Sequence, residues 1–135
     1  MSHYTRVEVE FRDRESLLEA LREMYGEGSV QVHNEPVALN NWQDMPTALR
    51  AEIVVRHKEL QDGSYMNDLG FQFDKSEDKF IVHADSSWAA VGDQLRRLKR
   101  SYSEKTTIRT MSRKGFKVSK RVEEGQKVRL VLRRG

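Results

Sequence analysis

Hydrophobic side chains in this chain recur at two different spacings, and the order in which the spacing switches limits the fold more than any other feature. Residues Thr5 to Arg12 alternate strictly, so Thr5, Val7, Val9 and Phe11 share one face of a strand and charged residues the other. Asp13 follows as a helix N-cap, and Leu17, Leu18, Leu21, Met24 and Tyr25 then recur at helical spacing until Gly26 and Gly28 stop the helix. Strand-like sequence returns at Val30 to His33, near Glu52 to His57 where it alternates again, and at Leu69 to Phe73 and Phe80 to His83, the last two forming a hairpin across the charged turn Asp74 to Asp78. Glu35 to Ala48 holds both prolines, Pro36 and Pro46, with Asn40-Asn41 and Trp42, and reads as a loop. Lys58 to Asn67 reads as another.

From Trp88 the period is helical again. Val91, Leu95, Leu98 and Tyr102 fall within an arc of ~60° at ~100° per residue. Ile108 and Met111 lie more than ~80° from the first of these directions, which predicts a break in the second helix near residues 103–107, where Thr106 and Thr107 also weaken helix. Gly115 is placed to end the helix, with Phe116 folding back on Met111. A last hairpin alternates Phe116, Val118 and Val122 on one arm with Val128, Leu130 and Leu132 on the other, across Glu123-Glu124-Gly125, and these apolar positions are expected to tie it into the core. The order β-α-β-β-β-β-α-β-β predicts an α+β fold, a single domain over 1–135 with a mostly antiparallel sheet and two main helices on one face.

Charge divides this domain. Residues 1–93 carry nine lysines and arginines against eighteen acidic residues, a balance of −9, and residues 94–135 carry fifteen against three, a balance of +12. Such asymmetry points to a polyanionic partner, or to the basic third docking on its own acidic body. The chain has no cysteine, which removes disulfides, thiolate metal sites and a cysteine nucleophile together. No apolar run approaches the ~18 residues that span a bilayer and no signal-peptide pattern opens the chain, so the expected compartment is the cytoplasm.

Several short motifs resemble a small domain-of-unknown-function family of cyanobacteria, red-algal plastids and some other bacteria. They are Met1-Ser2-His3-Tyr4, Asp68-Leu69-Gly70-Phe71, Ala84-Asp85 followed by Trp88, the Tyr102 helix leading to Gly115-Phe116, and the closing Val128 to Arg134. The chain departs from the pattern in its Trp42 loop and at Ser86-Ser87, where relatives often carry an aromatic residue. The resemblance implies no established activity. It does imply a protein partner, because members often lie beside genes for AAA-type ATPases.

Catalytic and phosphate-binding signatures are absent. There is no G-x-S-x-G elbow, no G-x-G-x-x-G and no Walker-type loop, and the four histidines show no metal-ligand spacing. The expectation is therefore a protein that is not an enzyme and uses no cofactor, metal or small-molecule substrate. His83 and Asp85, two apart on a strand, form the one His–carboxylate candidate. Asp85, Ser87 and Trp88 read as a cap for the following helix, whose free N–H groups could also receive an anion. The remaining candidate is a basic face: Arg96, Arg97 and Arg100 on one helix segment, Lys105, Arg109 and Arg113 as a ridge on the next, and Lys114, Lys117, Lys120 and Arg121 on the hairpin. This face fits a binding module for an acidic protein, within an AAA-type ATPase assembly on the resemblance above. The alternative is sequence-independent RNA or DNA binding by the same face.

Overall fold

In a computed structural model the described residues are 4–60, 66–85, 89–125 and 127–135. Strand β1 (Tyr4–Phe11) is followed by helix α1 (Arg14–Tyr25), and then by β2 (Val30–Asn40), β3 (Pro46–Val55), β4 (Leu69–Asp74) and β5 (Lys79–Asp85). Helix α2 (Ala89–Arg113) leads to a separate hairpin, β6 (Phe116–Glu124) and β7 (Lys127–Arg134). The first five strands form one antiparallel sheet in the order β1-β5-β4-β3-β2, and β6 and β7 form a second sheet of two. The expected α+β architecture and element order are those observed.

Helix α1 carries the chain from one edge of the sheet, β1, to the other, β2. Leu17, Leu18, Ala20 and Leu21 are buried on its inner side, as their spacing requires. Asp13 holds the N-cap position, but its carboxylate accepts from the Ser16 hydroxyl at 2.5 Å and makes no bond to a helix N–H. Gly26 ends the helix at φ +92°, a backbone conformation that side chains with a Cβ rarely adopt. The main core joins α1 to Ile53, Val55, Phe71, Val82 and Phe11 of the sheet, and to Leu98 and Tyr102 of α2. Phe11 is its aromatic centre, edge-on to Tyr102 at 4.7 Å and to Phe71 at 5.8 Å. The Tyr102 hydroxyl accepts from the backbone N–H groups of Arg12 and Asp13, so one side chain of α2 fixes the β1–α1 corner.

Two expectations need correction. The proline-containing stretch expected to be a loop is mostly the β2–β3 hairpin. Pro36 lacks an N–H and sits where the ladder is interrupted, between the Val32↔Ile53 and Val37↔Ala51 pairs, and Pro46 is the first residue of β3. Asn41 closes the turn, its Oδ1 accepting from the N–H groups of Gln43 and Met45. Helix α2, expected to break near residues 103–107, is continuous over 25 residues. Its apolar direction changes because the helix has neighbours on two sides: the body holds Leu98 and Tyr102, while the hairpin lies against the other side of its C-terminal half. Met111 falls about 20° from Glu104 on an ideal helix, on that hairpin side.

The hairpin is also not part of the core, as its alternation had suggested. Val128, Leu130 and Leu132 are only half-buried, and Val118 and Val131 are exposed. Gly115, at φ +87°, turns the chain from α2 into β6, and the Arg134 guanidinium lies over the Phe116 ring at 5.0 Å.

Candidate functional site

The inner side of α2 carries more than the core. One to two turns past Tyr102, Lys105 and Arg109 fall on the same side of the helix and reach α1. Lys105 pairs with Glu23, and its side chain is only 13% exposed; Arg109 binds Glu19 at 2.5 Å and approaches Asp13 at 4.0 Å. The ridge expected from the four-residue repeat of Lys105, Arg109 and Arg113 is thus largely consumed in joining the two helices. Arg113 remains exposed at the end of α2, with Lys114 beside it.

The outer side of α2 is different. Arg96, Arg97 and Arg100 line an open hollow of 530 Å³ with Lys99, Ser103 and Asp93. Asp93 is the carboxylate that answers them, bound to Arg96 at 3.1 Å. Three guanidinium groups on adjacent turns of one helix raise the local potential together, and any anion arriving there meets planar donors suited to carboxylate or phosphate.

The hairpin leans on this same outer side one turn further along. Arg121 grips Glu104 through two nitrogens, at 2.5 and 3.2 Å, and also binds Glu123 at 2.7 Å. The hydrogen bond from Arg121 holds the Glu104 carboxyl below its ordinary pKa. Beside this clasp β7 stands off from the helix and leaves a cleft of 350 Å³, with Arg100, Ser103, Glu104 and Thr107 on one wall and Val128, Leu130 and Leu132 on the other. The hollow and the cleft share Arg100 and Ser103, so they form one trough that is basic at one end and apolar at the other. Lys117 and Lys120 pair in register with Arg133 and Val131, on the hairpin face turned away from the trough.

The ten basic residues singled out by sequence therefore divide. Arg96, Arg97 and Arg100 converge; Lys105, Arg109 and Arg121 are engaged by acidic side chains; Arg113, Lys114, Lys117 and Lys120 are exposed but lie elsewhere. The alternation of Val128, Leu130 and Leu132 predicts core positions, and no sequence signal marks Glu104. Only the distance between the hairpin and the helix distinguishes a core-facing leucine from one lining an open cleft.

Asp85 closes β5, the strand that precedes α2. It pairs with Tyr4, and α2 begins four residues later. Its buried carboxylate accepts from the Asn67 N–H at 3.0 Å. Ser87 and Trp88 lie outside the described residues. His83 is buried on β5 and bonds Gln72 at 2.9 Å, so the described partners of His83 and Asp85 are different residues. Among the described residues no three His, Asp or Glu side chains gather at metal-binding distance, and no helix is long and apolar enough to cross a membrane.

Among the described residues a dense polar cluster centres on Asp68, which is fully buried. Its two oxygens accept from Asn40 N–H and Arg56 Nη1, each at 2.7 Å, and from His57 N–H at 2.8 Å. Arg56 reaches on to the carbonyl of Ala38, and His57 Nε2 meets Asp44 at 2.7 Å. These bonds fasten the β2–β3 hairpin to the start of β4, which is a structural use of the Asp68 carboxylate and the Arg56 guanidinium. Near it, burial pushes the Tyr25 phenol up to about 12, and its hydroxyl donates to Gln94 of α2 at 2.7 Å.

Residues 15–131 of the 135 match the family model described as a protein of unknown function, DUF1257, and the chain belongs to that family. No curated protein and no solved structure matches the sequence.

Proposed function

We propose that this member of the DUF1257 family is a non-catalytic binding module that receives an acidic protein surface on the outer side of α2. The observation carrying the reading is that Arg96, Arg97 and Arg100 gather on one open hollow with Asp93 as their acidic neighbour, while Lys105, Arg109 and Arg121 are matched by carboxylates of the chain itself. Positive charge already neutralised within a fold has little left for a partner, whereas clustered guanidinium groups favour an incoming carboxylate. The buried Asp68 carboxylate and the Arg56 guanidinium are bound to backbone groups and to each other, an arrangement that serves architecture better than turnover. The genetic neighbourhood implied by the family resemblance makes an AAA-type ATPase assembly the first partner to test.

Reversing the three charges together (R96E, R97E and R100E) should release whatever acidic protein co-purifies with the wild type from its native host. Circular dichroism should stay unchanged, because all three side chains lie outside the core. Retention of the partner by the triple variant would remove the reading. Tight, salt-sensitive binding of a generic RNA or duplex by the wild type at low salt would replace it with a nucleic-acid one.

A further inference from the structure

The hairpin ends in a strand whose outer edge is open. Among the described residues β7 pairs with β6 alone. The direction of its backbone groups follows from two bonds: the Ser119 hydroxyl donates to the Val131 carbonyl, and the Gly135 N–H donates to the Gly115 carbonyl. Residues 131 and 135 thus turn their polar groups toward β6, and by the two-residue period so do 129 and 133. Val128, Leu130 and Leu132 must then turn their N–H and C=O groups to the open edge. Their side chains are the ones that line the cleft against α2.

Main-chain hydrogen-bonding capacity and an apolar wall therefore coincide in the same three residues. Arg129 and Arg133 alternate with them on the opposite face. We propose, resting on the acidic-partner reading above, that β7 accepts an added strand from the partner. The incoming segment would alternate apolar and acidic residues. Its apolar side chains would enter the cleft opposite Val128, Leu130 and Leu132, and its carboxylates would face Arg129 and Arg133 across the new ladder. Arg100, at the junction of cleft and hollow, extends the same charge complementarity to acidic residues flanking the strand. Lysine and arginine on a free edge deter pairing with basic or neutral strands and leave acidic ones favoured.

The test uses the full chain and three synthetic ten-residue peptides carrying a fluorophore. One alternates valine and glutamate, one has the same composition in two blocks, and one is the alternating peptide N-methylated on the amides of one edge, made in both registers. The alternating peptide should bind, with the block peptide and one N-methylated register each weaker by about tenfold or more. Bound peptide should slow amide exchange at Val128, Leu130 and Leu132 and leave Arg129, Val131 and Arg133 as they were. Equal binding of alternating and block peptides, abolished by R96E with R100E, would overturn strand addition while leaving the acidic-partner reading in place. Absence of binding by every peptide, with the acidic host partner still retained by the wild type, would also overturn strand addition. Failure of both peptides and host partner to bind would remove both.

Discussion

A methyl group at position 70 has nowhere to go. A Cβ built on Gly70 would lie 2.6 Å from the Leu39 side chain and 2.9 Å from the Ala51 Cβ. The second, smaller core cluster of Leu39, Ala51 and Val54 thus rests directly on the β4 backbone. Gly70→Ala should cost about 1–3 kcal/mol, measured as a lower midpoint in urea denaturation with an unchanged slope. Two positions earlier, Asp68→Ala would leave the half-buried Arg56 guanidinium without its carboxylate and the N–H groups of Asn40 and His57 without their acceptor. The expected loss is about 3–5 kcal/mol by the same measurement. The Asp68-Leu69-Gly70-Phe71 motif carried the family resemblance, and each of its residues is buried. Nothing in its spacing disclosed why: aspartate and glycine together also describe an ordinary turn, and only the approach of Asn40, Arg56 and Leu39 from other elements separates the cases.

For the elements, the period of α1 was legible because that helix has a single buried face, to which a spacing of 3.6 answers directly. Strands β4 and β5, buried on both faces for much of their length, were legible as short apolar runs on either side of a charged turn. The β2–β3 hairpin and α2 were read less well for one shared reason, which is that each is engaged on more than one side. Helix α2 changes its inward direction by acquiring the hairpin as a second neighbour, and a one-face reading turns that change into a break. The hairpin's hold on α2 rests visibly on Arg121 and Glu104. Because the Glu104 pKa is depressed by Arg121, the pair's contribution is complete above the ordinary glutamate range near ~4.3 and is lost as pH falls through the lower folded value. A two-stranded hairpin is marginal by itself, and an ion pair screened by solvent adds only modestly to it. The protection factors of β6 and β7 amides, taken against the intrinsic exchange rate at each pH, should therefore fall as pH drops below the ordinary glutamate range of ~4.3, before the five-stranded sheet responds. Glu104→Gln should remove most of this pH dependence; a variant hairpin whose protection still falls with pH as it does in wild type would count against it.

Across the whole molecule, the division between an acidic body and a basic C-terminal third is partly closed from within. Glu19 and Glu23 of α1 meet Arg109 and Lys105 of α2, so some of the asymmetry is the fold's own glue. The core reaches along α2 as far as Tyr102, and the hairpin lies beyond it. A chain ending at Gly115 should accordingly unfold cooperatively, with a Tm within a few degrees of the full protein, while losing the trough. Collapse of the truncated chain to a molten or aggregated state would show that the hairpin supports the body as well.

The sequence by itself determined the α+β class, the order of strands and helices, the close of each helix at Gly26 and Gly115, and the concentration of positive charge after residue 93. All of these are local: they depend on neighbours within a few positions along the chain or on simple counting. Tertiary structure alone decided which arginines face each other over an open hollow, which are spent on Glu19, Glu23 and Glu104, and that Val128, Leu130 and Leu132 border a cleft instead of a core. Those outcomes depend on the distance between elements far apart in sequence. A hydrophobic period is the same whether the surface it faces is packed against or merely approached.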